Sequence, residues 1–491
     1  MEDVIVVGGG PVGLVLALEL TLAGVRPLVL ERDERIDPTI KASSLNGPAA
    51  DALRRRGFDL GNRLSPIAGR RPSGPPRFVG HVAGMPIRPD LVRYEALTRS
   101  AETVIAGVSQ QRVQELAGAR LADLGVEIRR GVRVAGVETV DDRARVAVVD
   151  SGIEREYEAR WVVGTDGGRS VVRKGAGFGF PGLDGIMTGH QALVEGDGFD
   201  DIPVGWQYSP TGVYRRFPTN LILTAAFAGP PDDRSAPVTA DELTAAIRHV
   251  TGVPVTVTGV LSATRFTDNT RVADRYRRGR VLLAGDAAHV HPPFGGQGLS
   301  LGILDAAALG WRLAGVVARR LPEQVLDDYE RERHPEAERI LEWSRAQVGL
   351  MRTDERSRAA GRLVRRLMDT PDGATEAIRV VGGDVVSYAT DEGLVGTFAP
   401  DWPGTDVGTS LFDLTVDGQP VLAYRPGTPL PTLPGGVRTF ATDAASAALV
   451  LVRPDGVIGW QGDDANGLAA ALAAVGATTA EPDRHGPVSG T

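Results

Sequence analysis

The chain begins with apolar and polar positions in a strand–helix–strand order. Residues 4–7 are a continuous run of Val and Ile, which is typical of a strand buried on both faces. Apolar residues recur at helical spacing over residues 14–23 and stop at Gly24, and residues 27–31 form a second apolar run. The pattern predicts a βαβ unit with a parallel sheet.

The periodicity changes in the next part of the chain. Residues 63–100 are rich in Pro, Gly and Arg, and their weak periodicity predicts loops with short strands. Residues 110–124 are predicted to be helical. Alternating apolar positions over residues 132–149 predict a hairpin, and residues 161–164 predict a buried strand.

Short alternating segments dominate from about residue 178 to residue 270. They predict a mostly antiparallel sheet with one helix over residues 240–249. Residues 281–284 again form an apolar strand pattern, and residues 298–346 predict two helices. We expect Pro335 to kink or break the second helix, because proline lacks the N–H that an interior helical position donates.

The C-terminal part of the chain differs in composition. After about residue 395 the sequence is rich in Pro and Gly. It then shows apolar strand patterns over residues 421–424 and 448–452, followed by an Ala-rich helix over residues 468–475. The pattern predicts a small, separate α/β domain.

Composition and charge narrow the function classes. The 491 residues are 42% hydrophobic, carry 54 basic and 62 acidic side chains, and contain no cysteine. The net charge of −8 does not favour a nucleic-acid-binding surface, and the absence of cysteine excludes disulfides, zinc–thiolate sites and cysteine nucleophiles. No basic leader precedes the first strand, and every long apolar stretch contains a charge. We therefore expect a cytoplasmic protein without a membrane span.

A glycine pattern between the first predicted strand and helix carries the first candidate site. In Gly8-x-Gly10-x-x-Gly13, the first glycine permits a tight turn, the second lets the backbone approach a pyrophosphate, and the third lets helix and strand pack closely. The helix N-terminus offers free N–H donors to phosphate. Glu31, at the end of the next strand, is placed to accept hydrogen bonds from ribose hydroxyls. The motif predicts a dinucleotide site without separating NAD, NADP and FAD.

Two further segments resemble a known family. Residues 164–174 (Gly-Thr-Asp-Gly-Gly-Arg-Ser-Val-Val-Arg-Lys) and residues 285–298 (Gly-Asp-Ala-Ala-His-Val-His-Pro-Pro-Phe-Gly-Gly-Gln-Gly) follow the glycine motif in order over residues 1–346. Together the three motifs resemble the signatures of single-component FAD-dependent aromatic hydroxylases with the p-hydroxybenzoate hydroxylase fold. The similarity is greatest to the actinobacterial branch that acts on aromatic polyketides and antibiotics.

The resemblance implies an α/β architecture in which a Rossmann-like FAD-binding domain is interleaved with a mostly antiparallel β-sheet substrate domain. The implied parts are the FAD-binding domain (1–177 and 271–346), residues 63–105 as a partial contribution to the substrate domain, the substrate-binding sheet (178–270), a helical linker (347–394) and a thioredoxin-like domain without redox cysteines (395–491).

The resemblance also implies an activity. Such an enzyme binds FAD tightly but non-covalently and oxidises NADPH or NADH. It transfers one oxygen atom from O₂, through a flavin C4a-hydroperoxide, to a polycyclic aromatic substrate, most often as a hydroxylation in natural-product biosynthesis. Baeyer–Villiger oxygenation, flavin-dependent rearrangement or reduction, and antibiotic inactivation stay open, as does a homodimer. No nucleic-acid, membrane or metal partner is expected.

The predicted cofactor site follows from the same resemblance and from local chemistry. The loop Pro292, Pro293, Gly295 and Gly296 is expected to face the flavin, because a helix N-terminus favours the negative charge of the reduced ring. Asp286 is placed to accept hydrogen bonds from ribityl hydroxyls, or to cap the following turn. No catalytic base is assigned. The predicted cofactor-binding residues are Gly8, Gly10, Pro11, Val12, Gly13, Glu31, Arg32, Lys41, Gln110, Arg112, Asp166, Gly285, Asp286, Pro293, Gly296, Gly298, Leu299 and Ser300.

The substrate is expected between the sheet of residues 178–270 and the loop of residues 292–296. His289 and His291 make a poor metal pair, because no carboxylate or cysteine ligand accompanies them in the sequence, so a structural role is expected. The candidate pocket aromatics, which are equally compatible with ordinary sheet packing, are Trp206, Tyr208, Tyr214, Phe217 and Phe294.

Three alternatives from other classes are open on the sequence. An NAD-dependent dehydrogenase would share only the first motif and would purify without a flavin. A flavin-dependent halogenase would need a lysine on the path to its substrate. Lys41 and Lys174 are the only lysines, and no third lysine is available for that role. A non-catalytic ligand binder would hold flavin without oxidising NAD(P)H when its ligand is added.

Overall fold

The computed structural model describes residues 1–61, 80–97, 104–234, 236–388 and 394–477. Parts of the predicted loop segment (63–79 and 98–100) and the end of the predicted C-terminal domain (478–491) lie outside the described residues. The α-helices of the described residues are α1 (Pro11–Leu22), α2 (Gly47–Arg54), α3 (Gln110–Asp123), α4 (Val171–Gly175), α5 (Ala240–Thr251), α6 (Gly298–Val317), α7 (Val325–Met351), α8 (Glu355–Met368), α9 (Pro371–Gly382) and α10 (Leu468–Ala474).

The strands fall into three regions of the chain. Those of the N-terminal region are β1 (Glu2–Val7), β2 (Leu28–Glu31), β3 (Leu45–Asn46), β4 (His81–Val82), β5 (Met85–Pro86), β6 (Ile105–Ala106), β7 (Ile128–Arg130), β8 (Val132–Val140), β9 (Arg143–Asp150) and β10 (Ile153–Gly164). Those of the middle region are β11 (Gly182–Leu183), β12 (Thr188–Asp197), β13 (Gly205–Tyr208), β14 (Gly212–Arg216), β15 (Leu221–Ala226), β16 (Thr256–Phe266), β17 (Thr270–Val272), β18 (Arg277–Arg278), β19 (Val281–Leu283) and β20 (His289–Val290). Those of the C-terminal region are β21 (Val421–Tyr424), β22 (Arg438–Ala441), β23 (Leu449–Val452) and β24 (Ile458–Gly462).

A largely parallel sheet carries the first glycine motif. Its strands lie in the order β18-β19-β10-β1-β2-β7, and β1 pairs in parallel with both β2 and β10. The apolar residues of β1 from Val4 to Val7 are buried, as their continuous hydrophobic run requires. The predicted βαβ unit, the helix over residues 110–124 and the β8–β9 hairpin are confirmed.

A second, fully antiparallel sheet lies in the order β13-β14-β15-β12-β16. The apolar side of α5, with Leu243 and Ile247, packs with Tyr214 and Ile222 into a buried cluster. Leu223, the residue after Ile222 on β15, belongs to a different buried cluster. The strand alternation therefore gives this sheet two apolar faces, one covered by α5 and one left for the cavity described below.

The long helices α6 and α7 pack in the core. α6 is long and apolar enough to cross a membrane, but its whole apolar window is buried inside the protein. α7 runs without interruption through Pro335 to Met351, so Pro335 does not break the helix, and the second predicted helix continues past residue 346. Burial of Tyr329 and Arg333 before the proline, and of Ile340 after it, offsets the one hydrogen bond that proline removes.

Buried ion pairs join the C-terminal sheet to the rest of the chain. Arg453 pairs with Glu332 of α7 at 2.7 Å and with the nearby Asp455. Arg56, which follows α2, pairs with Glu19 of α1 at 2.7 Å and donates to the carbonyl oxygen of Pro454. Burial opposes the ionisation of Glu332, but the two guanidinium groups of Arg453 and Arg312 hold the pKa of this carboxyl below its usual value.

Arg453→Met should lower the free energy of unfolding by about 3 kcal/mol, because two carboxylates would lose a buried cation. Arg438→Met, in the C-terminal sheet, removes an exposed pair with Asp417 and should lower the free energy of unfolding far less than Arg453→Met does. Urea denaturation of both variants, followed by circular dichroism, gives the comparison. Equal losses in the two variants would contradict a junction held by buried charge.

Candidate functional site

A large cavity, of about 890 Å³, lies between the parallel and antiparallel sheets. The carboxyl ends of β1, β2 and β10 supply one wall through Gly8, Glu31 and Thr165. Residues of β13 to β16 supply the opposite wall. Ligands of open α/β sheets bind at the carboxyl ends of parallel strands, so this position is the expected one for a nucleotide.

The three glycines of the first motif have three distinct environments. A Cβ on Gly8 would lie 2.6 Å from the carbonyl oxygen of Thr165, and the φ angle of Gly8 is +108°. A Cβ on Gly13 would lie 1.9 Å from the carbonyl oxygen of Gly8, so only glycine allows α1 to pack this closely on β1. A Cβ on Gly10 would meet no protein atom within 4 Å, and this residue lines the cavity. Gly10 therefore leaves space for a ligand.

Two helices begin at the cavity without a side-chain cap. No side chain accepts a hydrogen bond at the start of α1, where Pro11 and Val12 line the cavity, or at the start of α6, where Gly298 and Leu299 do. Six other helices begin with a side-chain cap, from Asn46, Ser109, Ser170, Thr239, Asp354 and Thr370. The first-turn N–H groups of α1 and α6 are therefore available to an anionic ligand in the cavity.

Carboxylates surround the cofactor end of the cavity. One oxygen of Glu31 accepts from the Gly9 N–H at 2.6 Å and the other from the Asp33 N–H at 2.8 Å, which fixes the side chain at the cavity edge. Oδ2 of Asp166 accepts from the first N–H groups of α4, while its Oδ1 is buried without a hydrogen-bond partner. Asp286 lies in a one-turn 3₁₀ helix, and its side chain is exposed to the cavity. These carboxylates can accept hydrogen bonds from sugar hydroxyls.

The loop before α6 forms the middle of the cavity wall. Pro293, Phe294, Gly295 and Gly296 line it, whereas Pro292 does not. Gly295 and Gly296 have φ angles of +88° and +66°, which glycine adopts readily. A Cβ on Gly295 would lie 3.0 Å from the side chain of Gln347. The loop therefore packs closely against α7.

A buried polar network fixes this loop from behind. Asp305 of α6 accepts from the Gly285 N–H at 3.0 Å and from Arg333 Nε at 2.9 Å, and it lies 2.7 Å from Nε2 of His289. Burial alone would raise the pKa of Asp305, but the adjacent His289 and Arg333 outweigh it and hold the pKa below its usual value. His289 therefore has a structural role in this network.

The histidine at position 291 has a different environment. Its Nδ1 lies 2.8 Å from the carbonyl oxygen of Pro292, and its ring lines the cavity. The carbonyl can only accept, so Nδ1 carries a proton. His289 and His291 therefore have separate partners in the described residues.

Several predicted cofactor residues lie elsewhere or serve the fold. Arg112 is exposed and pairs with Glu115, because Gln110 and Gln114, one turn apart on α3, face the cavity instead. The Ser300 hydroxyl is buried and accepts from the Asn46 N–H at 3.0 Å, away from the cavity. Gly13 and Gly285 also lie behind the lining residues. The predicted residues that line the cavity are Gly8, Gly10, Pro11, Val12, Glu31, Arg32, Lys41, Gln110, Asp166, Asp286, Pro293, Gly296, Gly298 and Leu299.

Two of the five predicted pocket aromatics do not line the cavity. Tyr214 packs with α5 in the other face of the antiparallel sheet. Tyr208 donates its hydroxyl to the carbonyl of Ala83, so its side chain is used to hold a hairpin. Trp206, Phe217 and Phe294 line the cavity.

Several lining residues had no candidate role on the sequence, and Arg215, Phe266 and His81 are three of them. Arg215 directly follows the predicted pocket aromatic Tyr214 on β14, and the two-residue period of the strand puts Arg215 on the face opposite Tyr214. Phe217, just after the strand, lines the cavity together with Arg215. Phe266 ends β16 on the same side of the sheet. His81 comes from the weakly periodic segment, where no pattern identifies a face.

Comparison with known proteins identifies the chain. Residues 1–344 match the family described as "FAD binding domain". The chain belongs to this family.

Relatives of the flavoprotein cover nearly its whole length. It is 35% identical to a rifampicin monooxygenase of Streptomyces venezuelae, over 98% of this chain and 100% of that protein. Its structure is similar to that of the anhydrotetracycline hydroxylase OxyS from Streptomyces rimosus, with a TM-score of 0.82, 32% identity and coverage of 96% and 98% of the two chains. A Diels-Alderase of pyrroindomycin biosynthesis is similar too, with a TM-score of 0.81, 32% identity and the same coverage. The flavoprotein is an FAD-dependent monooxygenase of mixed α/β fold, and the predicted family, fold class and cofactor are confirmed.

The residues of the cavity fit FAD. Two uncapped helix starts face one cavity, and Gly10, the glycine of the first motif whose Cβ would meet no protein atom, lies at the first of them. The buried Oδ1 of Asp166 has no hydrogen-bond partner among the described residues. The start of α1 would hold the pyrophosphate, Glu31 the ribose, and the loop of residues 293–296 with the start of α6 the flavin ring.

Gly10→Ala should weaken FAD binding by at least tenfold, because the added methyl group enters the space of the ligand while meeting no protein atom. The melting temperature of the FAD-free protein should stay unchanged. Gly118→Ala on α3, whose Cβ also meets nothing within 4 Å, is the matched control and should bind FAD normally. Titration of each FAD-free protein with FAD, followed by flavin fluorescence, measures the effect. Equal FAD affinity of the two variants would exclude this pyrophosphate site.

Proposed function

We propose that the enzyme inserts one atom of O₂ into a polycyclic phenolic substrate of the aromatic polyketide type, with NADPH or NADH as electron donor. The observation that carries this proposal is the aromatic end of the cavity, which continues directly from the loop of residues 293–296. Trp206, Phe217 and Phe266 belong to this end, together with the aliphatic side chains of Leu221 and Leu223.

The geometry of this end favours a flat, multi-ring ligand. The ring of Phe294 lies 6.0 Å from that of Phe266, edge to face, and 6.4 Å from that of Trp206. The three rings therefore pack on one another into an aromatic wall, and aromatic side chains bind planar rings through offset stacking and edge contacts. A cavity of about 890 Å³ is within the range of small-molecule and cofactor sites.

The protein supplies positioning and exclusion of water. FAD, when bound, would supply the redox chemistry of hydride acceptance from the nicotinamide and of O₂ activation. The Gly296 N–H donates to the Pro293 carbonyl at 3.2 Å and holds the loop in shape. The start of α6, with the Gly295 N–H beside it, lies at the position proposed for the flavin ring, where it would stabilise negative charge. The apolar side chains of the antiparallel sheet keep water from the substrate end.

The relatives support a large polyketide-type substrate for this chain. One of them is a rifampicin monooxygenase and another an anhydrotetracycline hydroxylase. A second candidate, a cyclisation without net oxidation, is favoured by the equally high similarity to a Diels-Alderase. A cytoplasmic location and a homodimer belong to the proposal and rest on the sequence alone.

The purified enzyme should release FAD on denaturation, and a polycyclic phenol should accelerate its oxidation of NAD(P)H. Under ¹⁸O₂ the product should gain one ¹⁸O atom, as measured by mass spectrometry. Nuclear magnetic resonance of the product separates hydroxylation from ring expansion. A product of unchanged mass would favour the cyclisation. NAD(P)H oxidation that no phenol accelerates would contradict the proposed hydroxylation.

A further inference from the structure

A short hairpin brings a histidine into the aromatic end of the cavity. Strands β4 and β5 are joined through Ala83 and Gly84, whose φ angles of 51° and 81° form a tight turn. The Ala83 N–H donates to Oε1 of Gln347 at 2.9 Å, and the Ala83 carbonyl accepts from the hydroxyl of Tyr208. The turn is therefore fixed to α7 and β13, and with it the position of His81, which lines the cavity.

The hairpin also fixes the tautomer of this histidine. The Gly84 N–H lies 3.1 Å from Nδ1 of His81 and can only donate, so Nδ1 is unprotonated. Burial, with a smaller effect of Arg215, lowers the pKa of His81 to about 3, so the ring is neutral at pH 7. The ring proton then lies on Nε2, for which no hydrogen-bond partner is found among the described residues. His81 is a neutral N–H donor at the cavity wall.

A cation lies beside this donor. The guanidinium of Arg215 stacks on Phe217 at 4.2 Å and lies 5.8 Å from the ring of Trp206, against which His81 also packs at 4.7 Å. Burial lowers the pKa of Arg215 to about 10, which still leaves it charged at pH 7. Among the described lining residues of this end, none is a carboxylate; the acidic groups lie at the cofactor end, in Glu31, Asp33, Asp37, Asp166 and Asp286.

We propose that Nε2–H of His81 and the guanidinium of Arg215 together bind one oxygen of the substrate, and that this oxygen is a phenolate or an enolate. The inference rests on the proposed function and names its substrate class more closely. A neutral imidazole donates a hydrogen bond to a phenolate without protonating it, whereas a protonated one would transfer its proton. The guanidinium compensates the negative charge, and the ionised ring is the more electron-rich acceptor of oxygen.

The test uses ligand binding to the holoenzyme with oxidised FAD and therefore needs no turnover. The probes are 1,8-dihydroxyanthraquinone and its 1,8-dimethoxy analogue, measured by calorimetry and by the red-shifted visible band of the ionised phenol. The wild type should show this band at a pH at which the free phenol is neutral. His81→Phe, which keeps the packing on Trp206, should bind the dihydroxy compound about tenfold more weakly and the dimethoxy compound equally well. His81→Gln, which retains a distal N–H donor, should recover most of the loss.

Tyr214→Phe removes a hydroxyl on the other face of the sheet and is the matched control, with unchanged binding of both probes. Equal weakening for both probes in His81→Phe, no weakening, or no binding of the dihydroxy compound by the wild type would overturn the assignment. Absence of the ionised band in the wild type would overturn it even if the variants fail to fold. Failure of the proposed function is separate, since it appears as missing NAD(P)H oxidation in an enzyme that still binds the phenol.

Discussion

Two helix N-termini, whose first-turn N–H groups no side chain caps, face one cavity, and the surrounding structure is arranged to keep them there. Uncapped N–H groups at a helix start are costly unless water or a ligand accepts from them. Other contacts hold each helix in place despite this cost. Gly13 allows α1 to pack directly on β1, and the buried Asp305 of α6 accepts a hydrogen bond from the Gly285 N–H. Both helices thereby present positive partial charge to the same ligand.

The cavity divides by chemistry along its length. Its cofactor end combines helix starts with carboxylates, which suits phosphates and sugar hydroxyls held together. Its substrate end combines aromatic rings with Arg215 and the neutral His81, and lacks carboxylates among the described lining residues. The loop of residues 293–296 lies between the two ends, so one glycine-rich segment serves both ligands. That segment needs support, which Gln347 and the Asp305 network provide.

The sequence could predict the cofactor end because local rules determine it. Glycine at positions 8, 10 and 13, between a buried strand and a helix, is typical of a dinucleotide site, and Glu31 ends the adjacent strand. The substrate end depends on tertiary pairing that periodicity does not contain. Tyr214 and Arg215 are neighbours on β14 and face opposite sides, and only the position of α5 decides which side is the cavity. Pro335 shows the same limit, since the packing of α7 overrides a local helix-breaking preference.

The most direct measurement of the central claim, that one cavity holds FAD and substrate end to end, is a crystal structure of the enzyme with FAD. The pyrophosphate should contact the first turn of α1, and the flavin ring should lie against residues 293–296. Open space should be left between that ring and Trp206, Phe217 and Phe266. A flavin ring that fills this aromatic end, or FAD bound outside the cavity, would contradict the claim.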